Sequence, residues 1–190
     1  MDHASATDEE LALALQGGDE AAFDELVRRH QGRVYAVAYR ITSNREDALD
    51  VSQEVFVKAY RKVDTWRPHG GFVPWLMRLT ANQAIDHLRR RRRHRHVQMD
   101  EEYIVGQGEA PVESTEQQVG AHEIEARIQE ALGVLSPAQR AVFAMRHYEG
   151  MALADIAEAM GCTTGSVKVH LFRATKKLQA ELEPYYRGEE

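Results

Sequence analysis

Apolar positions recur at three- and four-residue steps through both halves of the chain, and no Val- and Ile-rich alternating run lies between hairpin turns. That spacing marks amphipathic α-helices with one face in a core, and it predicts an all-α fold. In the first half it places helices near residues 8–16, 19–42, 45–62 and 72–94. The last two are separated by a loop from Asp64 to Gly71 that contains Pro68, Gly70 and Gly71. In the second half Ile124, Ile128, Leu132 and Leu135 form the buried stripe of one helix. Ser136-Pro137-Ala138-Gln139 then supplies an N-cap serine, a proline at the first helical position and a glutamine that completes a capping box. The helix it starts runs to about Tyr148 or Gly150.

Leu153, Ile156, Ala157 and Met160 follow as one apolar face over two turns. Gly161 suits a left-handed helix end, and Thr163 or Thr164 caps a final helix that buries Val167, Leu171, Ala174 and Leu178. Two short helices joined by a three- or four-residue turn with glycine predict a helix-turn-helix, whose second helix enters the major groove of DNA. The charge agrees: between Thr164 and Leu178 lie Lys168, Arg173, Lys176 and Lys177 and no acid. The bland alternative is a helical hairpin with a solvated basic face.

Between the halves, residues 98–121 hold three glycines, a proline and six acids with no sustained apolar period, so they read as an acidic, flexible linker. About 24 such residues span roughly 25 to 30 Å on average and stretch to roughly 80 Å, so two domains could sit far apart on one partner. The expected organisation is a domain over 1–97, the linker over 98–121 and a second domain over 122–190.

Length and charge refine this picture. The 190 residues suffice for two small domains, and the single cysteine, Cys162, excludes a disulfide framework and a multi-cysteine zinc site. No apolar stretch reaches membrane-spanning length, so a cytoplasmic protein without membrane insertion is expected. The net charge of -6 hides its distribution: +2 over residues 1–97, -6 over 98–121 and -2 over 122–190. Six of the seven residues from Arg89 to Arg95 are arginine, a concentration that attracts phosphates whatever the overall charge. They extend a helical stripe of Trp75, Arg78, Asn82, Asp86 and Arg89, whose aromatic, amide and guanidinium groups suit stacking, base-edge and backbone contacts to a single strand. The alternative is that Trp75 is core and the arginines are a nonspecific basic tail. On the preceding helix Asp47, Asp50 and Glu54 share one face opposite Ala48, Val51, Val55 and Ala59; taken alone, an acidic stripe of this kind is a solvated face.

These segments together resemble a known family. The run from Asp47 to Tyr60, DALDVSQEVFVKAY, is similar to the core-polymerase-binding segment of the extracytoplasmic-function (ECF) sigma factors of bacterial RNA polymerase. PWLMRLTANQAIDHLRR, from Pro74 to Arg90, resembles their promoter-melting helix; Leu135 to Arg140 and the helix-turn-helix through Leu178 resemble their second domain. The resemblance implies a two-domain initiation factor without catalysis, cofactor or metal. It would grip the clamp helices of core polymerase through Asp47, Asp50, Gln53, Glu54 and Phe56. The opened minus-10 strand would lie on Trp75, Arg78, Asn82, Asp86 and Arg89, with Arg90, Arg91, Arg92 and Arg93, and the loop from Asp64 to Gly71 would capture a flipped base. The minus-35 duplex would meet Thr164, Ser166, Lys168, Val169, His170, Phe172, Arg173 and Lys176, with Lys168, Val169 and Phe172 reading bases. The polymerase flap, promoter DNA and an anti-sigma factor are the further implied partners, and the acidic linker would run through the RNA-exit path.

Two segments depart from the family's common pattern. The loop reads Thr65-Trp66-Arg67-Pro68-His69-Gly70-Gly71 where Phe-Arg-Gly is frequent, and the recognition helix carries Val169 and His170 where serine and arginine are frequent. Two rival classes remain on sequence grounds. A response-regulator-type transcription factor requires an α/β receiver or ligand pocket upstream, and a metal or hydrolytic enzyme would have to use histidines such as His94 and His96 inside an arginine tract.

Overall fold

The structure is a computed structural model that describes residues 2–98 and 130–187, with backbone only for Arg92, residues 94–98 and residues 184–187. All regular structure among the described residues is helical. The elements are α1 (Asp8–Gln16), α2 (Glu20–Thr42), α3 (Arg45–Lys62) and α4 (Phe72–Gln98), then α5 (Pro137–His147), α6 (Leu153–Met160) and α7 (Thr164–Arg187). Two single-turn 3-10 segments, Val63–Thr65 and Pro68–Gly70, fill the connection between α3 and α4, and residues 130–133 end a helix before α5. The linker over 98–121, and Ile124 and Ile128 of the expected stripe, lie outside the described residues save Gln98; Leu132 and Leu135 are buried as that stripe requires.

Local chemistry sets the helix ends. Thr7 and Glu10 form a capping box on α1, Asp19 caps α2 through the Ala21 N–H, and Asn44 caps α3 through the Asp47 N–H. The first N–H of α4, on Phe72, donates to the Glu9 carboxylate at 3.1 Å, so α1 caps a helix more than sixty positions away in sequence. Ser136 and Gln139 form the expected capping box on α5. The turn of the helix-turn-helix is equally local: Gly161 takes φ 60°, ψ 40°, and the Thr163 hydroxyl accepts from the Ser166 N–H at 3.1 Å.

Helices α1 to α4 pack around Leu11, Leu26, Val34, Val37, Ile41, Val51, Val55 and Leu76. The loop before α4 is pinned from inside: Trp66 is 2% exposed and donates its indole N–H to the Gly71 carbonyl at 3.1 Å, while Gln16 donates to the Val63 and Trp66 carbonyls. Arg67, Pro68, His69 and Gly70 are left on the surface.

The two halves do not stand apart. Ala141, Val142, Ala144 and Met145 of α5, Ile156 and Ala157 of α6 and Val167 of α7 join the same apolar core as α2 and α4. A smaller cluster, Ala131, Leu132, Leu135, Ala174 and Leu178, closes the second half on its far side. The first half thus covers part of the apolar surface of the second. Polar contacts flank the seam. Buried Arg140 donates to the Ile41 carbonyl at 3.1 Å, the Ser43 hydroxyl and the Leu135 carbonyl; burial pushes its guanidinium below the ordinary value. Arg33 pairs with Glu149 at 2.7 Å, and the Arg40 guanidinium lies 4.0 Å from the centre of the Tyr148 ring.

Candidate nucleic-acid interface

Helix α3 divides its acids between two jobs. Its apolar stripe, Ala48, Val51, Val55 and Ala59, is buried as expected. Asp47, however, is 9% exposed and turned toward α4, accepting from His87 at 3.0 Å and from Arg91. It is therefore a brace between α3 and α4, which corrects its placement on an open acidic face. Glu54 is intermediate: it accepts from Arg90 at 3.0 Å and from the Gln83 amide, whose oxygen in turn accepts from Lys58. That relay satisfies the buried Gln83. Asp50 and Gln53 are the members of the expected set on the exposed side, and Phe56 is half-buried against Phe23 in an edge-on contact.

The same exposed side carries Leu49, Val57 and Tyr60, each more than 40% exposed. Positions 49, 53 and 57 are one turn apart, so Leu49 and Val57 flank Gln53 on the side that also carries Asp50. These apolar residues are hard to single out from sequence, because a helix with a full buried stripe leaves no evident use for more apolar side chains. The signal was the excess itself: Leu49, Val57 and Tyr60 do not fit the period of Ala48, Val51, Val55 and Ala59.

Helix α4 begins in the core and ends in solvent. Trp75 is 8% exposed and packs against Phe72 at 5.5 Å between ring centres, next to Trp66 in the same cluster. A ring so placed offers no face to a base, which corrects its assignment as a stacking platform. Arg78 and Asn82 are half-buried, and Asp86, Arg89, Arg90, Arg91 and Arg93 are exposed. Several of these cations have internal partners: Arg89 with Asp86 at 3.6 Å, Arg90 with Glu54, Arg91 with Asp47. The Arg92 side chain is not among the described groups.

Helix α7 keeps Val167, Ala174 and Leu178 inside and presents Lys168, Val169, Phe172, Arg173 and Lys176 outside. Phe172 is 64% exposed, an unusual position for a phenylalanine unless something covers it. Thr164 is exposed at the helix start, Ser166 is half-buried with its hydroxyl 3.0 Å from that of Thr163, and His170 is half-buried with its Nδ1 enclosed.

A helical chain with a helix-turn-helix near its C-terminal end and an arginine-rich helix before it has the features of the class of DNA-binding transcription factors. The family described as Sigma-70 region 2 matches residues 26–94, and that described as Sigma-70, region 4 matches residues 125–178. The RNA polymerase sigma-H factor of Pseudomonas aeruginosa is 33% identical over 185 residues, covering 95% of this chain and 96% of its own. The ECF RNA polymerase sigma-E factor of Haemophilus influenzae is 33% identical, covering 94% and 96%. Two solved structures superpose with a TM-score of 0.65 at 26% identity. One is CnrH in complex with the cytosolic domain of CnrY, covering 93% of this chain and 97% of that one; the other is the sigma factor RpoE of Bartonella quintana with the anti-sigma factor NepR, covering 85% and 96%. The chain belongs to the ECF sigma factors of the sigma-70 family. It is a promoter-directing transcription initiation factor, and the family consists of initiation factors rather than catalysts. The region 2 match occupies the place where a regulator would carry a receiver domain, which removes that rival. Among the described residues no helix is long and apolar enough to cross a membrane.

Proposed function

We propose that this chain works without catalysis of its own, in the cytoplasm, by dividing promoter recognition between α7 and α4 while α3 holds core polymerase. The observation that carries the reading is the outer face of α7, where Lys168, Arg173 and Lys176 flank exposed Val169 and Phe172 while Val167, Ala174 and Leu178 hold the opposite side in the core. Lysine reaches guanine acceptors in the major groove, and Val169 and Phe172 suit thymine methyls; Arg173 and Lys176 suit phosphates, with Thr164, Ser166 and His170 at the edges.

On α4, Arg78, Asn82, Asp86 and Arg89 form the strand-facing set, extended by the arginines to Arg93. With Trp75 in the core, strand holding falls to amide and guanidinium groups, and stacking to an arginine plane or to the loop bearing Arg67 and His69. On α3, Asp50 and Gln53 beside Leu49, Val57 and Tyr60 make an acidic-apolar surface suited to a basic coiled coil. A proteinaceous anti-sigma partner is supported by the two solved relatives, each of which is held by a second protein.

Selection of promoters from a randomised library by the chain and core polymerase tests the division of labour. Two conserved blocks separated by a spacer should emerge, and Lys168→Ala should relax the upstream block alone. A single block, or relaxation of both, contradicts it.

A further inference from the structure

The connection between α3 and α4 is closed on itself and tethered at both ends to α1. Within it the buried Trp66 donates its indole N–H to the Gly71 carbonyl, and the Gly70 and Gly71 N–H groups donate back to the Arg67 and Pro68 carbonyls, so residues 66–71 form a hoop. Gly71 turns the hoop into α4 at φ 69°, and a Cβ there would lie 3.3 Å from the Pro74 ring. Arg67 folds back along the hoop, donating to the Asp64 carbonyl at 2.6 Å and the Trp66 carbonyl at 3.0 Å. At the entry Gln16 donates to the Val63 carbonyl at 2.7 Å and, at 3.3 Å, to the same Trp66 carbonyl that Arg67 uses. At the exit the Glu9 carboxylate takes the Phe72 N–H at 3.1 Å. Glu9 and Gln16 are seven positions apart, two turns and roughly 10 Å along one face of α1, so one short helix grips both ends. Helix α1 is in turn fixed to α2, where Arg29 and His30 bond Asp8 at 3.1 and 2.7 Å.

We propose that α1 is the positioning element for the base-capturing loop, with Gln16 setting its entry and Glu9 its exit so that Arg67 and His69 are held on an exposed rim before the strand arrives; this rests on the loop's proposed part in strand binding. A hoop fixed in advance is not ordered at the expense of binding, and its rim groups meet a base at a defined distance. Glu9 and Gln16 touch no base in this scheme. They act through the backbone at residues 63, 66 and 72, and Gln16 reaches Arg67 through the shared Trp66 carbonyl.

Transcription by core polymerase with the full chain tests this, on a promoter taken from the randomised library and pre-opened across its minus-10 element. Each non-template base is exchanged in turn. Arg67→Ala and His69→Ala mark the position that the loop reads, where the wild-type chain should prefer one base about tenfold or more. Gln16→Glu keeps the shape but cannot donate, and Glu9→Ala removes the acceptor; each should bring that preference to within about twofold of none. The other minus-10 positions and the upstream block should keep their wild-type preferences. Glu9→Gln still offers an oxygen to the Phe72 N–H and should behave as wild type at every position. Circular dichroism checks that each variant is folded, and Glu9→Ala keeps the test decisive if Gln16→Glu does not fold. Folded variants that retain the preference, or that weaken every position alike, overturn the role of α1. If no position responds to Arg67→Ala or His69→Ala, the loop's part in strand binding falls, and its positioning by α1 with it.

Discussion

Asp47 and Asp50 stand three residues apart on α3, yet one is buried and the other exposed, because α4 runs along one side of the helix and not the other. Asp50→Arg is expected to abolish association with core polymerase in a pull-down while leaving the melting temperature within about 2 °C, since exposed substitutions fall within roughly 0.5 kcal/mol. Native association by that variant would remove α3 from the polymerase contact. Asp47→Ala should instead cost about 1 to 2 kcal/mol in urea unfolding: hydrogen bonds to charged groups are lost, but Arg91 is 41% exposed and water replaces part of the bond. Sequence spacing put both acids on one stripe. It could not show that the partners of Asp47 would be His87 and Arg91, 40 and 44 positions away. Hydrogen bonds from Arg28 and then Arg29 hold the Glu25 carboxyl down from 4.5 to about 2. A lowered folded value stabilises above the unfolded one and is lost as pH falls through the folded one. The difference in thermal stability between wild type and Glu25→Gln should therefore be full above about pH 4.5 and fade toward pH 2.

Among the elements, the helices were legible where stripe and end signals agree: the expected ranges 8–16 and 45–62 coincide with α1 and α3, and Gly161 closes α6 left-handed as expected. The direction a side chain takes within a stripe was less legible. Trp75 aligned with Asn82 by period, but the first two turns of α4 are enclosed by Phe72 and Trp66, so the stripe emerges into solvent only further along. The α7 face was legible because its apolar and basic periods do not overlap, and it yields a paired prediction. Lys168→Ala should cost about 1 to 3 kcal/mol at one promoter position, whereas Arg173→Ala should weaken all sequences alike and reduce the salt slope by about 1. Electrophoretic mobility shifts on single-base promoter variants at several salt concentrations separate the two. For α4, Asn82→Ala should lower permanganate reactivity of minus-10 thymines on duplex promoters and be largely rescued on a template with a pre-opened bubble. Unchanged reactivity on the duplex would take Asn82 out of melting.

Taken as one molecule, the chain is a pair of family domains sharing a core, and that sharing is the feature least legible from sequence. A 24-residue linker of flexible composition permits wide separation, and nothing in the helical periods says that α5 will seat on α2. The deciding contacts join residues 97 to 116 positions apart, Arg140 with Ser43 and Arg33 with Glu149 among them. Arg140→Ala leaves the Ile41 and Leu135 carbonyls without their donor and should cost about 1 to 3 kcal/mol of stability, read by urea unfolding.

In vitro transcription with bacterial core polymerase tests most directly the claim that this chain directs initiation through α3, α4 and α7. Core polymerase with the wild-type chain should yield discrete transcripts from a small set of promoters, absent with core alone. Asp50→Arg should remove them all, and Lys168→Ala should redistribute them among promoters. Transcripts that persist unchanged with both variants, or none with the wild-type chain, would contradict it.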